Sequence, residues 1–217
     1  MIDSKPPRPS GLPDPEEGRV GGRPRLLVAM GSRATIGAVP MTAEQFLQIE
    51  APRPLQLVEG EVVVNEPLRD HQYLKGEFFR RLADWADAKS GRGVVSLSID
   101  VLMDERTVFA PDVLWYDGPA APGRHDPPPY PIPALAVEVR SPSTWRCDIG
   151  AKKAVYEREG LRELWLVDGP GATVLVFRRS APGAAGFDIA VEVPADGTLT
   201  SPLLDGFALP LAPLLGS

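Results

Sequence analysis

One cysteine, Cys147, and two histidines are all the thiol and imidazole that this 217-residue chain offers. An intrachain disulfide framework is excluded, and a lone thiol suits a reducing compartment. A zinc finger is excluded as well, because no cysteine and histidine cluster of that size can be assembled. Any resident metal must be held mainly by oxygen, which points to Mg²⁺ or Mn²⁺. Long apolar runs are missing too: Leu26-Leu27-Val28-Ala29-Met30 is the longest near the N-terminus, far short of the roughly 20 residues of a membrane helix. A soluble, cytoplasmic protein is expected. Nor is there an excess of basic charge, since the net of −6 divides into +2 before Met41 and −8 after it. Contact with a phosphate backbone would therefore need a local positive groove or a metal. No helix-turn-helix or zinc module supplies a code for a target sequence.

What is present suffices for one sizeable core, with 43% hydrophobic residues and a length that favours one domain plus a tail. Residues 1–40 are dense in Pro, Gly and Arg without apolar period and read as a disordered leader; Met30 and Met41 are alternative starts. Residues 41–217 read as the single domain. Thr42 with Gln45 three residues on has capping-box spacing for a short helix ending before Pro52. Leu55-Gln56-Leu57-Val58, Glu59-Gly60 and Glu61-Val62-Val63-Val64 read as a hairpin. From His71 to about Lys89, Leu74, Phe78, Leu82 and Trp85 recur at helical spacing. The run from Val94 to Leu102 alternates with period two and predicts one half-buried strand. Strands are expected over residues 163–168, 173–177 and 188–192, with the apolar stretch Leu203 to Leu215 packed on the sheet.

The residues that carry chemistry lie between these elements. Asp112-Val113-Leu114-Trp115-Tyr116 and Leu135-Ala136-Val137-Glu138-Val139 read as buried strands, each delivering one carboxylate. A carboxylate inside such a run needs opposite charge or hydrogen bonds beside it. A helix from Asp148 to about Glu159, closed by Gly160, follows the break at Ser141-Pro142-Ser143-Thr144, and it places Lys152 and Tyr156 on one face. Two carboxylates with an amine suggest a divalent metal site with a cation beside it, a recurrent way to hydrolyse a phosphodiester. The proline-loaded loop from Pro119 to Pro133 is long enough to overhang such a site. Duller readings accompany each residue. Asp112 after Pro111 can cap a turn, Lys152 can be a solvated helix lysine paired with Asp148, and Glu61 can be an exposed hairpin residue. His71 reads as a helix-start residue, or alternatively as a catalytic base, Tyr156 as a packing residue, and Cys147 as inert. Lys75, Arg80 and Arg81 read as a solvated face, or alternatively as contacts that track a phosphate backbone.

The ordered set Met41-Thr42-Ala43-Glu44-Gln45-Phe46, Glu59-Gly60-Glu61, Pro111-Asp112, Val137-Glu138-Val139-Arg140-Ser141-Pro142-Ser143, then Asp148, Lys152, Tyr156 and Gly160 through Leu164-Trp165-Leu166-Val167-Asp168, resembles the Uma family. That family is a group of restriction endonuclease-like proteins in the PD-(D/E)XK nuclease superfamily. The likeness runs from Met41 to about Phe177. It implies an α/β (α+β) restriction-endonuclease-like core, with a central mixed β-sheet flanked by helices, and a bound Mg²⁺ or Mn²⁺. By this likeness Asp112 and Glu138 are the metal carboxylates, with the carbonyl of Val139 as a third ligand. Lys152 is the site lysine, Lys153 its alternative, and Glu61 closes the site from the hairpin. The sequence departs from the pattern at Arg140, where the superfamily usually places its lysine, at Gln56, where many relatives carry glutamate, and at Asn65-Glu66-Pro67, where a Ser-Pro pair is common.

The function implied is metal-dependent hydrolysis of DNA by an endonuclease acting as a homodimer, since cutting both strands needs two sites. Two other classes stay open: a catalytically silent module on the same scaffold that binds nucleic acid or a protein partner, and a metal-assisted hydrolase acting on RNA or a small phosphoester.

Overall fold

A computed structural model describes residues 33–34, 40–49, 55–64, 68–141 and 148–216. The leader proposed for residues 1–40, the segment Asn65-Glu66-Pro67 and Cys147 fall outside the described residues, apart from 33–34 and Pro40.

Local sequence signals account for the first elements. After the two-residue strand β1 (Arg33–Ala34), helix α1 (Ala43–Leu47) starts at the expected capping box. The Gln45 amide donates to Thr42 Oγ1 at 3.2 Å, and Gln45 Oε1 accepts from the Thr42 amide at 2.9 Å. Strands β2 (Leu55–Val58) and β3 (Glu61–Val64) form the expected hairpin. Glu59 and Gly60 turn it with φ of 51° and 85°, the left-handed pair that a two-residue hairpin loop requires. Helix α2 (Arg69–Asp87) buries His71, Leu74, Phe78, Leu82 and Ala86, an apolar stripe at steps of three and four.

The remaining strands are β4 (Val94–Leu97), β5 (Val101–Asp104), β6 (Thr107–Phe109), β7 (Val113–Tyr116), β8 (Leu135–Val139), β9 (Glu163–Asp168), β10 (Thr173–Arg178), β11 (Ile189–Pro194), β12 (Thr198–Thr200) and β13 (Ala208–Pro210). A π-helical turn (Asp148–Lys152) leads into α3 (Lys153–Arg158), and α4 (Ala212–Leu215) ends the chain. A six-stranded mixed sheet has the order β11-β10-β9-β8-β7-β4. All its neighbours are antiparallel except β8 and β9, which are parallel and need the crossover that α3 supplies. A second sheet has the order β1-β3-β2-β6-β5, and β12 pairs with β13.

The single strand expected over Val94–Leu102 is therefore two. The chain leaves the first sheet after Leu97 and enters the second at Val101. The hairpin β2–β3 belongs to that second sheet, not to the central one. The proline-rich loop is tied down along β5: Tyr130 accepts from the Leu102 amide at 3.0 Å and donates its own to Asp100 at 2.8 Å.

Strands β7, β8 and β9 are covered on both faces, which explains their near-continuous apolar sequences. Val113, Trp115, Leu135, Val137, Trp165 and Val167 face α2 and the C-terminal segment, including Phe207, Leu209 and Leu215. Leu114, Tyr116, Ala136, Leu164 and Leu166 face α3 and the second sheet, where Val155, Tyr156, Phe109 and Val58 pack. Residues 112 and 138 thus sit at one end of a sheet sandwiched between α2 and α3. Among the described residues no helix is long and apolar enough to cross a membrane.

Candidate functional site

Asp112 lies one residue ahead of β7 and Glu138 within β8. The register Val113↔Val137, carried outward, sets Asp112 opposite Glu138 and Pro111 opposite Val139. Both carboxylates therefore leave neighbouring strands at one level of the sheet. The Val139 amide, reached where β7 has ended, donates to Asp112 Oδ2 at 2.9 Å. In an antiparallel pair the N–H and C=O of one residue point to the same neighbour. Pro111, whose nitrogen carries no hydrogen, has no N–H to offer the Val139 carbonyl.

Each carboxylate is met by one lysine and by at least one further donor. From α2, His71 Nε2 lies 3.1 Å from Asp112 Oδ2, and Lys75 Nζ lies 3.4 Å from Oδ1. Lys75 also donates to Ser98 Oγ at 2.6 Å. On the other side of the sheet, Lys152 Nζ and the Tyr156 hydroxyl both donate to Glu138 Oε1, at 3.1 and 2.7 Å. The Tyr156 ring meets Phe109 edge-on at 5.1 Å, and Lys152 Nζ stands 5.6 Å from the same ring. Asp112, Glu138, Lys152 and His71 are only 3%, 4%, 3% and 4% exposed, so these pairs are largely shielded from water. Burial pushes the Asp112 carboxyl up; the hydrogen bond and charge of His71, then Lys75 and the Val139 amide, outweigh it and hold the carboxyl below its ordinary value.

The predicted residues Asp112, Glu138, Val139 and Lys152 are thus brought to one end of the sheet. Lys153, the alternative lysine, instead points away, 3.5 Å from Glu157 and 4.8 Å from the Phe177 ring centre. Glu61 opens β3 opposite Val58, half-buried, and shares that hairpin face with Gln56 and Val63. Val58 and Val63 pack in the cluster that holds Phe109 and Tyr156, so the face turns toward the site. Gln56 is buried and accepts from the Ala110 amide at 3.3 Å, steadying the approach to Pro111. Arg140 donates from Nη1 to both Asp168 oxygens, at 2.8 and 2.9 Å.

Sequence reasoning weighs His71 as a helix-start residue or a catalytic base, Lys75 as a solvated or phosphate-tracking cation and Tyr156 as a packing residue, and ties none of them to a carboxylate. A signal was available for the first: His71 is in phase with Leu74, Phe78 and Leu82, hence on the buried stripe, and Lys75 follows it by four. The exposed-helix alternative holds better for Arg80 and Arg81, which pair with Glu77 on α2 itself.

Among the described residues no group of three His, Cys, Asp or Glu side chains is placed to hold a metal ion. The donor set nevertheless fits Mg²⁺ or Mn²⁺, because such ions need only one or two protein carboxylates, their remaining positions going to water and substrate phosphate. Asp112, Glu138 and the Val139 carbonyl, to which Pro111 has no N–H to offer, are groups of that kind. Two surface clefts of about 480 and 450 Å³ are lined by other residues, Glu59, Asp104 and Arg158 in the first and Leu47, Leu102 and Pro129 in the second.

The fold is shared with a solved protein described as a "putative nuclease belonging to DUF820" from Anabaena variabilis, with a TM-score of 0.68, at 16% identity and covering 82% of this chain and 98% of that one. No curated protein matches the chain in sequence. The Uma2 family model, described as "putative restriction endonuclease", matches residues 43–212, and the chain belongs to that family.

Proposed function

We propose that the protein is a metal-dependent endonuclease that hydrolyses phosphodiester bonds of DNA, with Asp112, Glu138 and the Val139 carbonyl holding Mg²⁺ or Mn²⁺. The observation that carries this reading is the pair of buried carboxylates at one level of β7 and β8, each with a lysine in contact. When bound, such an ion supplies Lewis acidity toward a phosphate oxygen and a lowered pKa for a water beside it. The chain's own groups supply the rest. His71 and the Val139 amide fix the Asp112 carboxylate, and the Tyr156 hydroxyl fixes Glu138. Lys152, held at Glu138, is the cation positioned to neutralise charge that develops on the phosphoryl oxygens. Glu61 faces the site from the hairpin and would close it. Hydrolysis adds water across one P–O bond, leaving a phosphomonoester on one fragment and a hydroxyl on the other. A two-fold homodimer would present two such sites to the two strands, and the lone cysteine suits the reducing cytoplasm.

The test is a cleavage screen of supercoiled plasmid, single-stranded DNA and RNA with Mg²⁺ or Mn²⁺, for the wild type and Asp112→Asn. Nicking or linearisation of duplex DNA that needs the metal and is abolished by the substitution supports the reading. Preference for RNA would move the substrate class. Cleavage that persists in Asp112→Asn would refute the site, and DNA binding without cleavage in both proteins would leave a binding module.

A further inference from the structure

Lys75 has two partners of different character. Its ammonium sits 2.6 Å from Ser98 Oγ but 3.4 Å from Asp112 Oδ1, so the neutral partner holds it more closely than the charged one. Asp112 Oδ2, by contrast, is occupied by two hydrogen-bonding groups, the Val139 amide and His71. Oδ1 is therefore the oxygen on which a cation competes with Lys75. The lysine side chain is 17% exposed, so it is less tightly enclosed than the Asp112 carboxylate it faces. On the other carboxylate, Lys152 stands at Glu138, so both carboxylates already have a lysine beside them.

The geometry points to Lys75 as a resident counter-cation of Asp112, a positioning residue that opposes metal binding and is drawn back onto Ser98 when the ion arrives. This inference rests on the metal reading above. A divalent ion entering between carboxylates that already have lysines beside them adds uncompensated positive charge, and an anionic phosphodiester offsets it. Metal and substrate then bind cooperatively, each tightening the other by the same factor. The site holds its metal weakly until a phosphate backbone is in place.

The experiment is calorimetric titration of Mn²⁺ into the full-length wild type, Lys75→Met, Lys75→Arg, Ser98→Ala, Glu138→Gln and the double variant Lys75→Met/Glu138→Gln. Thermal melts would confirm that each is folded. Removing a unit charge about one contact away from the ion is expected to tighten Mn²⁺ binding about tenfold in Lys75→Met. Lys75→Arg keeps the charge and should stay near the wild type. Ser98→Ala removes the retreat and should weaken binding, an opposite sign that loss of packing at Lys75 would not produce. Adding Glu138→Gln should abolish the gain.

Unchanged or weaker binding in Lys75→Met, with binding lost in Glu138→Gln, would overturn the counter-cation role and leave the metal site standing. Binding undiminished in Glu138→Gln would overturn the metal site itself. No Mn²⁺ binding in either the wild type or Lys75→Met would overturn the counter-cation role, because unmasking Asp112 should reveal the site.

Discussion

Removing the Lys152 ammonium while keeping its length, as in Lys152→Met, tests whether the Glu138 carboxylate is a buried ion. Lys152 and Glu138 side chains are 3% and 5% exposed and their polar atoms 3.1 Å apart. Breaking a buried pair from one side costs about 3–5 kcal/mol, because the surviving charge is left in a poor solvent. Tyr156 continues to donate to Glu138 Oε1 at 2.7 Å, which places the expected loss near the lower end, about 3 kcal/mol. For a domain of this size that is about 6–12 °C in melting temperature. Glu138→Gln added to Lys152→Met removes the surviving charge and should recover at least half of the loss, so the two substitutions are non-additive. Urea unfolding followed by tryptophan fluorescence at pH 7 reads all four proteins of the cycle. A Lys152→Met variant within about 0.5 kcal/mol of the wild type, the range of ordinary surface substitutions, would refute the buried pair. So would strict additivity.

Other expectations follow from the same contacts. Tyr156→Phe keeps the edge-on packing against Phe109 and loses the hydrogen bond to Glu138, so it should cost about 1.5–3 kcal/mol in chemical unfolding. Asp112→Asn should destabilise by about 2 kcal/mol at pH 7. Since the folded carboxyl titrates below its ordinary 3.8, that difference should hold above 3.8 and vanish as pH falls further. Glu163 behaves in the opposite sense. Burial raises its pKa above 4.5 despite hydrogen bonds from Ser201 and Trp165, so its contribution is full below 4.5 and is lost as pH rises through the folded value. Glu163→Gln should therefore gain stability relative to the wild type between pH 4 and neutrality in the same denaturation series. Gly60→Ala should cost about 1–2 kcal/mol from its left-handed backbone, and more because the new Cβ would lie 2.4 Å from Pro40 Cβ; a melt unchanged from wild type would refute this.

Strand patterning made Asp112 and Glu138 legible, since an acidic residue amid Val, Leu and Trp stands out where burial is the rule. The capping box of α1 and the Glu59-Gly60 turn were legible because each is a local device that needs no distant partner. Contacts between layers were harder to read. The period-two alternation runs straight through Ser98-Ile99-Asp100, so nothing local announces that the chain changes sheets there; the Asp100 carbonyl accepting from Tyr130 is a tertiary contact. Arg140 shares its alternation with Glu138, yet it lies beyond the end of β8 and its guanidinium goes to Asp168. Lys75 reads as a surface lysine until Ser98 and Asp112 are seen on either side of it. The pairing of β12 with β13 rests on Leu199 and Leu209, two buried residues in segments too short to carry a period.

The proposed metal site can be seen directly by anomalous diffraction from crystals of the full-length protein grown with Mn²⁺ and a short DNA duplex. The expected result is a manganese peak within reach of Asp112, Glu138 and the Val139 carbonyl, with Lys75 withdrawn toward Ser98. A peak bound elsewhere on the chain, or the two carboxylates still paired with their lysines and no metal between them while DNA is bound, would contradict it.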